Sequence, residues 1–406
     1  MKRTIIIGGG AAGLFAACLL AREGAQVVLL EKQNRVGRKL LSTGNGRCNL
    51  TNLNATERDY YGDARYIRAA LSALSPKAAM DVFQEMGLIC APDGEGRVYP
   101  LSNQAAGVLD ALRLCATENG CEIITEFNVM RLKSSKNGFT AEAADGRRVS
   151  GDYAIIACGG LAAPKLGGCG DGYDLLERFG HSCSPRLPAI VALKTDPEAV
   201  RALKGIRMHG VLELYSGDTL LRRETGEILF SETGVSGIAA MQLARSVNLE
   251  MHRGKKCSLK LNFLPGAAPD CIQERAALLP DRPLEDFLSG VVPKRLGQVL
   301  IKNAGVAPLS LAAGELTLSQ CRDIQRQLTG WTLAVKSTLG FEAAQVTCGG
   351  ARLADFDPES LESRLAPGLF AAGEVLDVDG DCGGFNLHWA WASAWLCAQA
   401  ILKRCR

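Results

Sequence analysis

Apolar residues in this chain follow three rhythms, and each predicts a different element. Short unbroken runs at Thr4–Ile7, Gln26–Leu30 and Tyr153–Ala157 read as strands buried on both faces, as in a parallel sheet. Helical spacing fills Leu14–Glu23, Pro76–Gly87 and Asn103–Gly120, and Gly24 stops the first of these. Alternation marks Cys121–Leu132, where Ile123, Thr125, Phe127 and Val129 share a face, and Gly138–Val149 reads as the hairpin of a small antiparallel appendage. After Pro185–Pro188 the character changes. Val191–Leu193, Val211–Tyr215 and Glu227–Phe230 are short strands between polar turns, whereas Asp270–Gly290, Lys294–Ala304 and Thr317–Leu328 are helical. Leu333–Val335 is expected to be a strand returning to the parallel sheet. Gly368–Glu374 then reads as a strand ending in Gly-Glu, and Leu387–Leu402 as a buried helix, too short to span a bilayer. The pattern predicts an α/β fold with a Rossmann-like domain split by an insert.

The first strand, turn and helix carry a specific spacing, Gly8-x-Gly10-x-x-Gly13. Gly8 allows the tight turn, Gly10 lets a pyrophosphate approach the backbone, and Gly13 lets helix and strand pack closely. The helix start, with Ala11 and Ala12, offers free N–H groups and the positive end of the helix dipole. The second strand ends in Glu31, an acid placed to accept from a ribose 2′-OH. Strand, turn, helix, strand and acid in that order predict a dinucleotide site. An ordinary βαβ unit with a glycine-rich turn would leave the acid unexplained.

The bulk properties narrow the partners. A chain of 406 residues is long enough for two or three domains, and a net charge of +3 argues for neither nucleic acid nor membrane. Lys2-Arg3 leads straight into the first strand rather than into a signal peptide. The 15 cysteines include no Cys-x-x-Cys pair, and no Cys/His cluster has zinc-like spacing, so no metal site is expected. Most of them, such as Cys18, Cys115 and Cys397, have apolar neighbours, as expected of reduced, buried thiols in a cytoplasmic protein. Cys48, Cys158 and Cys382 differ in lying inside glycine-rich motifs.

Beyond Glu31 the chain becomes a basic, glycine-rich loop suited to an anionic ligand. It runs through Lys32, Arg38 and Lys39 to Thr43-Gly44-Asn45-Gly46-Arg47-Cys48-Asn49-Leu50-Thr51-Asn52. Together with Gly94-Glu95-Gly96-Arg97-Val98-Tyr99-Pro100, Ala157-Cys158-Gly159-Gly160, Ala372-Gly373-Glu374 and Gly383-Gly384-Phe385-Asn386, this loop resembles one family. The family is the BaiN-like or aminoacetone-oxidase-like bacterial NAD(P)/FAD-dependent oxidoreductases. The resemblance covers nearly the whole chain and is weakest between about Pro265 and Leu333. Cys382 stands where that family commonly has a small or basic residue, and His388 where it commonly has glutamine.

The resemblance implies a two-dinucleotide-fold flavoprotein. Its FAD-binding domain would occupy 1–188 and 336–406 around an inserted α+β substrate or cap region at 189–335, with a helical part at about 265–315. It places the backbone of Asn128 and Val129 on the adenine edge, and Ala157, Cys158 and Gly159 at the carboxyl edge of the sheet. Gly373 and Glu374 fall at the ribityl and pyrophosphate region, and Asp377 or Asp379 on a ribityl hydroxyl. Gly383, Gly384, Phe385 and Asn386 start a helix aimed at the flavin N1–C2=O edge, where its dipole would stabilise negative charge. Gly44, Arg47, Cys48 and Asn49 complete the cofactor loop.

No second Gly-x-Gly-x-x-Gly follows a strand, so a separate nicotinamide domain is not expected. NAD(P)H, implied by the family alone, would bind transiently. The chemistry expected is hydride transfer between flavin and a small organic substrate, either reducing C=C or oxidising C–N. Asn49, Tyr99 and His388 are candidates to orient substrate or donate a proton, and His388 reads equally as a packed helix residue. A flavin-binding redox sensor or assembly factor without turnover is the alternative. RNA modification is disfavoured by the near-neutral charge. Oligomeric state is left open.

Overall fold

The computed structural model describes residues 2–405. It divides into two units, Met1–Leu187 with Gln345–Arg406, and Pro188–Ala344.

The first unit opens with β1 (Arg3–Ile7), α1 (Ala11–Arg22) and β2 (Gln26–Leu30). Its next strand, β3 (Thr51–Asn52), is followed by helices Ala64–Ala73 and Pro76–Glu85. Then come β4 (Cys90–Pro92), β5 (Arg97–Pro100) and α2 (Ala105–Glu118). The chain continues through β6 (Glu122–Ile124), β7 (Val129–Ser135), β8 (Gly138–Ala143), β9 (Arg148–Gly151) and β10 (Tyr153–Ile156). After the second unit it resumes with β11 (Leu369–Ala371) and ends in α3 (Phe385–Cys405).

The core sheet has five strands in the order β11-β10-β1-β2-β6, all parallel. Ile5, Ile6, Ala154, Ile155 and Ile156 are fully buried, as strands covered on both faces must be. Helix α1 is apolar almost all round and buried from Ala12 to Ala21, so it is an interior element rather than an amphipathic surface helix. Phe15, Phe83 and Trp391 pack within 5.2–5.5 Å of one another, joining α1, the Pro76–Glu85 helix and α3.

The alternating stretch 121–132 is two strands instead of one. β6 lies in the parallel sheet and β7 in a three-stranded antiparallel sheet, β9-β8-β7. The break falls where Glu126 takes φ +53 and the amides of Glu126 and Phe127 donate to Gln33 O and Glu31 O. A period of two runs on unchanged through such a turn, which is why alternation alone missed it. The Ala64–Ala73 helix is an element beyond those that the apolar pattern predicts.

The second unit is built on a seven-stranded antiparallel sheet. Its central strands, Arg207–Ser216 and Thr219–Phe230, are much longer than the runs seen in sequence. The unforeseen helix Ile238–His252 packs on this sheet, and helices Cys271–Leu278, Lys294–Asn303 and Leu318–Gly330 follow. Trp331–Val335 pairs with Cys257–Asn262 in this sheet and does not return to the parallel one. It is held there by Trp331, which packs with Phe230 and Phe263 at 5.9 and 6.3 Å. No helix among the described residues is long and apolar enough to cross a membrane.

Candidate functional site

The carboxyl ends of β1, β2 and β10 meet in the glycine turn. Gly8 has φ +110, and a β-carbon there would lie 2.5 Å from Ala157 O. A β-carbon on Gly13 would sit 1.9 Å from Gly8 O, so helix and strand touch through bare backbone. A β-carbon on Gly10 would meet nothing within 4 Å. Gly10 also caps α1 without a side-chain bond, leaving the first-turn amides facing that space. Gly159, across the turn at φ +74, is equally open.

Glu31 is fixed by two backbone amides: Gly9 N donates to Oε2 at 2.8 Å and Gln33 N to Oε1 at 2.7 Å. With Gly8, Lys32, Asn128, Val129 and Cys158 it lines a single cleft. Phe127, Cys169 and Asp171 line it too and were not foreseen as site residues. Phe127 lies within the alternation of 121–132, and Asp171 within Gly170-Asp171-Gly172-Tyr173, a run that fits the family resemblance although the glycines of 167–172 have the wrong spacing for a nucleotide loop; no pattern marks Cys169. Lys32 pairs with Asp171 at 3.0 Å, and Arg38 turns away to Gln33 and to Lys165 O. Burial pushes the thiols of Cys158 and Cys169 up, so both stay protonated at neutral pH.

The middle of the site is Gly373-Glu374. Gly373 approaches α1 so closely that a β-carbon would lie 3.0 Å from Ala12 Cβ. Glu374 receives Lys39 Nζ at 2.7 Å and Thr347 N at 2.8 Å. Helix α3 grips both backbone groups of Gly373: Gly373 N donates to Ser393 Oγ at 2.9 Å, and Trp389 Nε1 donates to Gly373 O at 3.1 Å. Its other polar side chains hold the Cys48–Asn52 loop. Trp391 Nε1 donates to Leu50 O at 2.9 Å, and His388 Nδ1 lies 2.9 Å from Thr51 Oγ1. The polar residues of this otherwise apolar, buried helix therefore position two loops of the site.

At the far end Gly383 and Gly384 enter α3 with φ +141 and +97, and His388 N donates back to Gly384 O. A β-carbon on Gly384 would lie 2.7 Å from Asn49 Oδ1 and 2.6 Å from Thr51 O. Asn49 Oδ1 is buried there without a hydrogen-bond partner. Gly44 abuts Asn49 and Tyr99 at 3.0 and 3.6 Å from its β-carbon position, and the Arg47 guanidinium lies over the Tyr99 ring at 4.7 Å. Arg47, Asn49, Tyr99 and Gly384 are thus brought together. Cys48 is fully buried, its thiol pushed up to about 12 by burial, which suits an inert thiol. The Asn386 amide closes the preceding loop on Gly380 and Asp381, and Phe385 stands edge-on to Tyr60 at 5.9 Å. Asp379 is buried in a two-residue strand opposite Tyr61. His388 is fully buried, with its pKa lowered to about 4 by burial.

This set fits a dinucleotide cofactor. It offers an oriented acid, an open glycine turn with free helix amides, and at the opposite end a second helix start beside an unpartnered amide. Gly8, Gly10, Gly13 and Glu31 would hold the adenosine and pyrophosphate part, Lys39 and Glu374 the middle, and Gly383–Asn386 the ring.

Comparison with known proteins gives four findings. The HI0933-like protein Rossmann domain matches residues 2–400. The 3-dehydro-bile acid delta(4,6)-reductase of Clostridium scindens is 38% identical over 413 residues, covering 100% of both chains. The ribosomal RNA dihydrouridine synthase of Escherichia coli is 30% identical over 403 residues, covering 98% of this chain and 97% of its own. Among solved structures, a 3-ketosteroid delta1-dehydrogenase from Sterolibacterium denitrificans has the same fold, with TM-score 0.54 at 13% identity and 100% coverage of both chains. The name of the second relative weighs against setting nucleic acid aside on net charge, because a whole-chain tally says nothing about charge at one site.

Proposed function

The chain belongs to the HI0933-like Rossmann family of FAD oxidoreductases, and from that premise we propose that it reduces a C=C bond conjugated to a carbonyl group, with NAD(P)H as transient electron donor. The observation that carries this reading is the group of side chains at Arg47, Asn49 and Tyr99 beside the first turn of α3. Asn49 Oδ1 has no partner, the Tyr99 hydroxyl bonds to no described residue, and Arg47 makes one long bond, Nε to Gly44 O at 3.4 Å. Arg47 and Tyr99 are the donors an unsaturated ketone needs at its oxygen, and the Asn49 amide carries further donors on Nδ2 beside its unpartnered oxygen.

FAD, when bound, supplies the hydride. The chain's own residues do the rest. The Arg47 guanidinium and the Asn49 amide donate hydrogen bonds to the carbonyl oxygen, drawing charge away from the double bond. The Tyr99 hydroxyl delivers the proton to the carbon next to the carbonyl. His388, neutral at working pH and tied to Thr51, holds the loop that carries Asn49.

The relatives' names support this substrate class. A 3-dehydro-bile acid with delta(4,6) unsaturation is a conjugated ketone, and dihydrouridine is uridine reduced at the bond conjugated to a ring carbonyl. Reduction of a uracil in RNA is the second reading, favoured by the 30% identical relative.

The test is the visible spectrum during anaerobic titration with NADPH and then NADH. One nucleotide is expected to bleach an oxidised-flavin spectrum, and a 3-oxo-4-ene steroid or a uridine-containing RNA to restore it. A bleached protein that neither acceptor reoxidises would overturn the proposal.

A further inference from the structure

Strands β3, β5 and β4 form a small sheet in that order, next to the first turn of α3. Its register sets Ala91 opposite Tyr99 and Cys90 opposite Pro100, and one step beyond the strand ends Leu101 N donates to Ile89 O at 2.8 Å. Side chains alternate along a strand, so Val98 and Pro100 turn to the core while Arg97 and Tyr99 share the outer face, and Leu101, just past the strand end, carries on from them. Burial follows that division: Val98 is 0% exposed, whereas Ile89 and Leu101 are each 64% exposed.

That face is a strip with two unlike ends. At one end Asn52, paired with Arg97, donates through Nδ2 to Gly383 O at 3.1 Å, directly at the start of α3. The middle is the Tyr99 ring with Arg47 over it. The far end is the exposed pair Ile89 and Leu101. Single exposed apolar side chains are ordinary, but a cross-strand pair extending an aromatic platform away from a polar site is not. From Arg97 to Leu101 is four residue rises, about 13 Å. That is too long for a single ring and suits several fused ones.

We propose that this strip is the floor of the substrate site and binds a rigid polycyclic ketone lengthwise, with the conjugated carbonyl at the Gly383 end and the apolar rings on Ile89 and Leu101. The proposal rests on the conjugated-carbonyl reading above. Ile89 and Leu101 then set specificity. They select a long apolar body, while Arg47, Asn49 and Tyr99 handle the reacting end.

The experiment is equilibrium binding of a 3-oxo-4-ene steroid to the FAD-loaded protein by calorimetry, with flavin content and melting temperature measured for every variant. The double variant I89S/L101S is expected to raise the steroid Kd by about tenfold or more with flavin content unchanged, and I89V/L101M to keep wild-type affinity. Equal steroid affinity in wild type and I89S/L101S would overturn the strip. So would a wild-type protein that turns over cyclohexenone but binds no steroid, and in that outcome enone reduction itself stands. A wild type that binds no steroid, reduces no enone and instead reduces uridine in RNA would overturn both.

Discussion

His388 lies on the buried side of α3, its Nδ1 2.9 Å from the Thr51 hydroxyl. Burial lowers its pKa from 6.5 to about 4, so the unfolded chain takes up a proton where the folded protein does not. The stability tied to the neutral imidazole is therefore complete above pH 6.5, shrinks as pH falls, and is lost by about pH 4. The whole effect is on the order of 3 kcal/mol, a large part of a typical folding free energy. Replacing His388 with Gln keeps a neutral hydrogen-bonding group against Thr51 and removes the titration. Urea midpoints at pH 7 and pH 4.5 should then differ less in the variant than in the wild type. An equal acid loss in both proteins would show that the imidazole is not its source. A histidine in sequence carries no mark of this environment, because Thr51 reaches it only through the fold. The same holds for Asn49, whose unpartnered amide exists because Gly384 arrives beside it.

The turn between β1 and α1 is the element most legible in sequence, because its demands are local. The three glycines nevertheless differ in what they do. Gly13 has no room: its β-carbon would sit 1.9 Å from Gly8 O. Gly13→Ala is expected to destabilise the protein by roughly 1–3 kcal/mol or more, whether or not cofactor is present. Gly10 has extended backbone at φ −84 and an empty surround, so Gly10→Ala should leave the cofactor-free protein unchanged or up to about 1 kcal/mol more stable. Its methyl group would stand where the pyrophosphate approaches, so FAD affinity should drop by about tenfold or more. Melting of the cofactor-free variants together with FAD titration separates the two. Loss of folding in Gly10→Ala with normal FAD affinity in Gly13→Ala would reverse the assigned roles. Elements fixed by distant partners were less legible. The two-residue strand β3 has no pattern of its own, and the split between β6 and β7 is dictated by amides that bond back to Glu31 and Gln33.

At the scale of the whole molecule, the sequence changes character near Pro185, and the structure shows why a long insertion is tolerated there. The two ends of the first unit lie side by side: Ser184 N donates to Gly350 O at 2.9 Å, Gly350 N to Ser184 Oγ at 3.0 Å, and Cys183 bridges Ala351. Whatever joins those ends therefore need not alter the parallel sheet, since loop length costs little once the ends are pinned. The return point was harder to read. Trp331–Val335 is a good strand, and only its pairing with Cys257–Asn262 reveals which sheet owns it. Every candidate FAD residue, from Gly8 to Asn386, lies in the first unit. Replacing residues 188–344 with a short Gly-Ser linker should therefore give a protein that folds and binds FAD within about tenfold of the full chain. Visible absorbance after dialysis against FAD, together with its melting curve, measures this. A spliced protein that folds cooperatively but takes up no flavin would mean that the 188–344 unit supplies part of the cofactor site. One that does not fold would mean that the parallel sheet, though complete in its strands, depends on that unit for stability.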